Sequence, residues 1–223
     1  MRDRISDSIP CVILLALSGG CMDAYSYLFR DHVFANAQTG NMLLFGVNLA
    51  NGDISGALKY FWLILAFTIG IILSDIMTEK KVFQSDRRIE YSVIFEALVL
   101  AAAAFIPKRA DAVANIMISF VCGIQLETFR DFHGNKIATT MCIGNLRSGT
   151  YNLDKYINTR ERPYLRKAMI YYGIILSFIS GAIIESKMIK LIGARAIWFS
   201  SVMLIACAIV MFCQSAEKGA AIE

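Results

Sequence analysis

Charge is scarce in this chain. Asp, Glu, Lys and Arg supply 18% of its 223 residues, while hydrophobic residues supply 57%. A soluble domain carries roughly 25% charge and about 45–50% apolar residues, so the composition excludes an ordinary water-facing globule. Proline is equally sparse. The three prolines, Pro10, Pro107 and Pro163, all stand at the edges of apolar blocks, where a helix tolerates them. The only histidines are His32 and His133, too few and too far apart to set up a metal site with convergent partners. The six cysteines form no CxxC pair, so neither a zinc site nor a redox pair is signalled. There is no nucleotide loop, nucleophile elbow or haem pair, hence no implied cofactor and no expected enzymatic activity. The net charge of +4 is spread over connecting segments rather than gathered on one aromatic-lined patch, which argues against nucleic acid.

What the chain does have is long apolar blocks. They run over 9–29, 33–50, 57–75, 91–106, 112–129, 137–153, 168–184 and 197–213. About 20 apolar residues in helical form cross a bilayer core, and 17 can suffice. Backbone groups in lipid must bond internally, so the blocks read as helices. Arg2 and Arg4 precede the first block as they would in a signal peptide. That block is too long, lacks a small-residue cleavage site and carries Asp23, so it reads as the first span. No connection is long enough for a soluble domain, and residues 1–223 read as one membrane domain with the lipid bilayer as its first partner.

The blocks repeat. At an offset of 104 residues, Gly19 meets Gly123, Asp23 meets Glu127, Gly40-Asn41 meets Gly144-Asn145, and Asn48-Leu49 meets Asn152-Leu153. One repeat covers about 9–107 and the other about 112–213. In membrane proteins a duplicated half places a solute or ion site between the halves.

The positive-inside rule tests how many blocks cross. If all eight cross, giving two parallel four-helix repeats, Lys and Arg show no bias. If the second and sixth blocks instead enter and return as short broken helices, 15 of the 22 Lys and Arg residues fall on the cytoplasmic side and 7 outside. The sequence therefore predicts six transmembrane helices from two three-span repeats. Three spans is an odd number, so the halves are inverted, with both termini and the connections 77–90 and 154–167 cytoplasmic. The uncharged stretch 33–52 is long enough to cross when tilted, and keeps the eight-helix alternative open.

Two signatures resemble a known family. The first is Gly19-Gly20-Cys21-Met22-Asp23-Ala24-Tyr25, followed by Val33-Phe34-Ala35-Asn36-Ala37-Gln38-Thr39-Gly40-Asn41. The second is Gly123-Ile124-Gln125-Leu126, then Thr139-Thr140 and Ile143-Gly144-Asn145-Leu146. Both are similar to the YoaK-like bacterial membrane family, which carries a domain of unknown function. In the second signature Leu126 stands where Asn is usual and Ile143 where Thr is usual. The resemblance spans nearly the whole chain and implies a bacterial inner-membrane protein of about six helices, without supplying an activity.

The candidate site follows from the polar residues within the blocks. An ionisable group such as Asp23 costs about 2.5–3.5 kcal/mol at the bilayer centre, so it faces the bundle interior and has partners. It reads either as a proton- or cation-linked carboxylate or as a packing hydrogen bond to Asn41 or Tyr25. Glu127 lies nearer a block end, close to Arg130, where an ion pair suffices. Gly40-Asn41 and Gly144-Asn145 read either as the starts of two half-helices, whose free N–H groups bind an anion or polar solute, or as close-packing small residues. Asn36, Thr39, Gln125, Thr140 and Arg147 complete the polar set. The chemistry points to a transporter or channel for an unknown small polar solute or ion. The alternative is a scaffold or sensor protein whose basic cytoplasmic loops dock a partner.

Overall fold

The computed structural model of the chain describes residues 8–79, 87–129, 131–132, 135–136 and 142–220. Among them lie eight α-helices: α1 (Ile9–Leu28), α2 (Gln38–Ala50), α3 (Ile54–Glu79), α4 (Arg88–Ala103), α5 (Asp111–Thr128), α6 (Cys142–Thr159), α7 (Arg162–Ile192) and α8 (Trp198–Ala220). Between α5 and α6, strand β1 (Asp131–Phe132) pairs antiparallel with β2 (Asn135–Lys136), a hairpin the apolar pattern gave no sign of. The prolines sit where their missing N–H costs nothing. Pro10 and Pro163 are in the first turns of α1 and α7, and Pro107 leads into the 3-10 turn before α5. Ser8 caps α1 by accepting from the Cys11 amide at 3.4 Å, as N-cap serines do.

Apart from that short strand pair, the protein is a helical membrane protein. Four stretches are long and apolar enough to cross: α1, α3, 108–128, and 162–214, which holds α7 and most of α8. The 16 residues of α4 rise about 24 Å, short of the ~30 Å hydrocarbon core. The helices α2 and α6 fall outside the set. Side chains that face lipid stay apolar: on α3, Phe61, Trp62, Ile69 and Ile72 are exposed.

The packing maps onto itself when every helix number is advanced by four. Helix α1 packs on α7 as α5 does on α3; α2 packs on α3 as α6 does on α7; α1 packs on α8 as α5 does on α4. The remaining large contact, α4 with α8, is its own image. That pair runs antiparallel. Trp198 Nε1 donates to the Ala101 carbonyl at 3.2 Å at one end, and the Arg87 guanidinium lies over the Phe212 ring at the other. The end of α1 likewise meets the start of α5, through Arg30 and Asp111. The helices of each of these two pairs thus point in opposite directions.

Glycines set two close helix crossings. A Cβ at Gly20 would strike the Phe178 carbonyl of α7, and one at Gly181 would strike the Leu17 carbonyl of α1. In the other half, a Cβ at Gly70 would strike Phe120 on α5, and one at Gly123 would strike Phe67 on α3. Apolar lipid offers no hydrophobic drive between helices, so close backbone approach through small residues is what holds such pairs. Leu15, Met22, Val93, Leu100, Ile118 and Leu204 belong to the main core.

Candidate functional site

After α1 the chain turns back into the protein. Asp31 and His32 adopt successive left-handed conformations, φ 55° and 52°, which Asp and His accept more readily than most residues. Residues 33–37 then run down beside α1 without forming a helix. At the bottom, Asn36 Nδ2 donates to the Gly19 carbonyl at 3.2 Å. Gly19 lies nine residues before the end of α1, a depth of about 13.5 Å, close to half the hydrocarbon core. There α2 begins and runs outward again.

Non-helical backbone at that depth must be satisfied by protein, and polar side chains in and around the first signature do this. Asp23 Oδ1 accepts from the Asn36 amide at 2.7 Å. Ser26 Oγ accepts from the Ala35 amide at 3.2 Å. Asn41 closes a ring with Phe34, accepting from its amide at 3.1 Å and donating to its carbonyl at 2.6 Å. Gln38 Nε2 donates to the Ala35 carbonyl at 2.8 Å and to Ser119 Oγ on α5 at 2.9 Å. Ser119 in turn reaches the Leu63 carbonyl at 3.0 Å, so one hydroxyl ties the re-entrant segment to α3 and α5. Asp23 pairs with neither Asn41 nor Tyr25, the partners considered from sequence. Its partner is a backbone N–H, which composition cannot reveal.

Beside this segment a cavity of about 980 Å³ opens between the two halves. The first half contributes Asp23, Asn36, Gln38 and Thr39; the second contributes Cys142 and Ile143 from the first turn of α6. Helix α7 forms the far wall, with Phe178, Ile179, Ala182 and Ile183 giving way to Ser186, Lys187 and Lys190. The wall is mainly apolar with a few convergent polar groups, the usual make-up of a small-molecule site. Asn36 Oδ1 is buried and has no hydrogen-bond partner.

Of the residues expected from sequence, Asp23, Asn36 and Thr39 line the cavity. The helix starts fall at Gln38 and Cys142, two residues before the Gly-Asn pairs and at the same repeat position. Gly40-Asn41 and Gly144-Asn145 therefore sit inside the first turns. Gly40 packs against the Phe34 ring, whereas a Cβ at Gly144 would meet nothing. Tyr25 belongs elsewhere: its hydroxyl donates to the Ala194 carbonyl at 3.0 Å and accepts from Arg30 Nε. Gln125 is buried in α5 with neither amide atom hydrogen-bonded. Glu127 is half-buried in the last turn of α5, and Arg147 is exposed on α6; neither lines the cavity. Thr140 and Arg130 lie outside the described residues.

Sequence reasoning missed Gln38, Ser186, Lys187 and Lys190. The α7 residues fall at helical spacing on one face (179, 182, 183, 186, 187, 190), but nothing in the spacing says what that face meets. It also missed Glu185, fully buried on α7 beside the Cys21 thiol of α1.

Comparison with known proteins decides the family. The sequence profile described as "Protein of unknown function (DUF1275)" matches residues 11–210. The chain belongs to the DUF1275 family. It is also 24% identical over 185 residues to the UPF0700 transmembrane protein YoaK of Bacillus subtilis (strain 168), an alignment covering 77% of this chain and 79% of that relative. No solved structure matches. The DUF1275 match encloses both helix starts and every described cavity residue, so the site is built from the family's own segment.

Proposed function

We propose that the chain is a small-solute transporter or channel of the bacterial cytoplasmic membrane, made of two inverted three-span repeats, with its site in the cavity between them. The observation that carries this reading is the cavity of about 980 Å³ lined at once by the first turns of α2 and α6 and by Asp23. Discontinuous helices whose N-termini meet near the bilayer midplane are the usual construction of a transporter site.

In this reading α1, α3, α4, α5, α7 and α8 cross. Helices α2 and α6 are the short helices, and both termini are cytoplasmic. Three observations support it: the packing pattern repeated at four helices, the antiparallel relation of corresponding helices, and the re-entrant course of residues 33–37. The positive charge of Lys187 and Lys190, with the dipoles of two helix starts, favours a solute carrying an anionic or strongly polar group. The protein moves that solute and performs no covalent chemistry on it. A scaffold whose basic loops dock a partner would leave the cavity without a purpose. Uptake by proteoliposomes against a broad panel of small polar metabolites tests the proposal: accumulation above protein-free vesicles supports it, and no uptake of any panel member counts against it.

A further inference from the structure

A second cavity lies at the opposite end of α7 from Lys187 and Lys190. It holds about 710 Å³, between the start of α1, the end of α6 and the first turns of α7. Ile9, Ile13 and Met169 give it apolar walls, and Arg162 and Arg166 stand among its lining residues. The two arginines are four residues apart on α7 and share one face. Both are exposed, and neither makes an ion pair among the described residues. Arg162 is also the first residue of α7, where the helix dipole adds positive potential. The neighbouring acid, Glu161, is the helix N-cap and makes no side-chain capping bond.

The depth of this cavity follows from helix geometry. The centre of the arginine pair and the centre of the lysine pair are about 24 residues apart, which is ~36 Å along α7 at 1.5 Å per residue. That exceeds the ~30 Å hydrocarbon core and approaches the ~40–45 Å that includes the headgroups. When one basic pair is among the headgroups of one leaflet, the other is among those of the opposite leaflet. A trough with hydrocarbon walls and two unpaired guanidinium groups at headgroup level fits an occupant with acyl chains and a phosphate. Guanidinium groups take phosphate oxygens in bidentate fashion. A choline headgroup brings its own cation against the arginines, whereas a glycerol headgroup does not.

We propose that this cavity is a binding site for an anionic phospholipid, with the phosphate held by Arg162 and Arg166 and an acyl chain lying along Ile9, Ile13 and Met169. The site is separate from the cavity assigned to solute and stands or falls independently of it. Basic pockets between membrane helices select anionic headgroups in this way, at a strength equal to about fivefold per cation.

The test titrates the full-length chain, purified in neutral detergent, with phosphatidylglycerol and with phosphatidylcholine, and counts retained lipid by native mass spectrometry. Phosphatidylglycerol is expected to bind at least tenfold more tightly. Arg162→Gln together with Arg166→Gln should weaken it about thirtyfold, and Lys187→Gln with Lys190→Gln should leave it unchanged. Ile13→Trp, which fills the trough and leaves the charges alone, should also weaken it, and serves if the double glutamine variant does not fold. Equal affinity for the two lipids, unchanged binding in both the arginine and the Ile13 variants, or full competition by soluble glycerol phosphate would overturn the proposal.

Discussion

Arg30 Nη1 and Asp111 Oδ1 lie 2.7 Å apart, joining the end of α1 to the start of α5 across the two halves. The Arg30 side chain is fully buried. Three more of its five donors go to the Ala103 carbonyl at 2.8 Å, the Ile106 carbonyl at 2.9 Å and the Tyr25 hydroxyl at 3.1 Å, and it lies over the Phe29 ring. Lys108, which reaches the Phe29 carbonyl, also approaches Asp111 at 3.6 Å. One guanidinium thus pins the point where the chain turns back into the membrane.

Removing it should be severe. Arg30→Gln leaves two carbonyls and a carboxylate short of a donor, and breaking a buried pair costs about 3–5 kcal/mol. Arg30→Lys should rescue little, because an ammonium cannot serve four acceptors spread around a planar fork. Thermal unfolding in detergent reads this as a large fall in midpoint for both variants. A lysine variant as stable as the parent would mean the fork geometry is unimportant.

The glycines should separate into two groups. Gly20→Ala and Gly123→Ala place a methyl on backbone that cannot yield, and overpacking of that kind costs about 1–3 kcal/mol. Gly40→Ala meets the flexible Phe34 ring and should cost less; Gly144→Ala and Gly46→Ala meet nothing and should be neutral. Equal damage at Gly40 and Gly144 would restore the symmetric role that the repeat alone implied. Ranking the variants by unfolding midpoint decides the matter.

Asp23 holds the re-entrant segment through the Asn36 amide, and substitutions can tell that duty from a part in transport. An asparagine still offers an oxygen to the Asn36 amide, so Asp23→Asn should insert and fold normally. Asp23→Leu removes the acceptor of that 2.7 Å bond and should loosen the re-entrant segment, lowering the unfolding midpoint. If the carboxylate couples transport to protons, the asparagine variant loses uptake driven by a pH gradient. Normal gradient-driven uptake by Asp23→Asn would leave the residue purely structural.

Much of the fold was legible because membrane physics writes it in blocks. The offset of 104 places α2 and α6 at matching starts, and the prolines mark helix edges. Lysine and arginine gather on the cytoplasmic side, which is why their count favours six spans in inverted halves; the structure itself shows the coarser picture, a helical membrane protein with four stretches long and apolar enough to cross. The site was harder. Asp23 is visibly out of place in an apolar run, yet its partner is an amide hydrogen that every residue but proline carries. Tyr25 stands in the same signature and faces a different neighbour, two residues being more than half a helical turn. The lysines of α7 look like ordinary interface residues until the opposite wall is known.

Orientation is open to a simple check. Reporter fusions after Lys81 and after Arg160 should both read cytoplasmic, since the basic segments on either side of them belong to the side that holds most cations. A periplasmic reading after Lys81 would reverse α3 and α4 and break the inverted arrangement.

The central claim is that solute passes through the cavity between the halves. The most direct measurement compares uptake into proteoliposomes by the parent chain and by Ala182→Trp, which projects an indole into that cavity from the α7 wall. The account predicts at least one small polar solute that the parent accumulates and that the tryptophan variant, folded and inserted, takes up at least tenfold more slowly. A solute carried equally well by both proteins would contradict it.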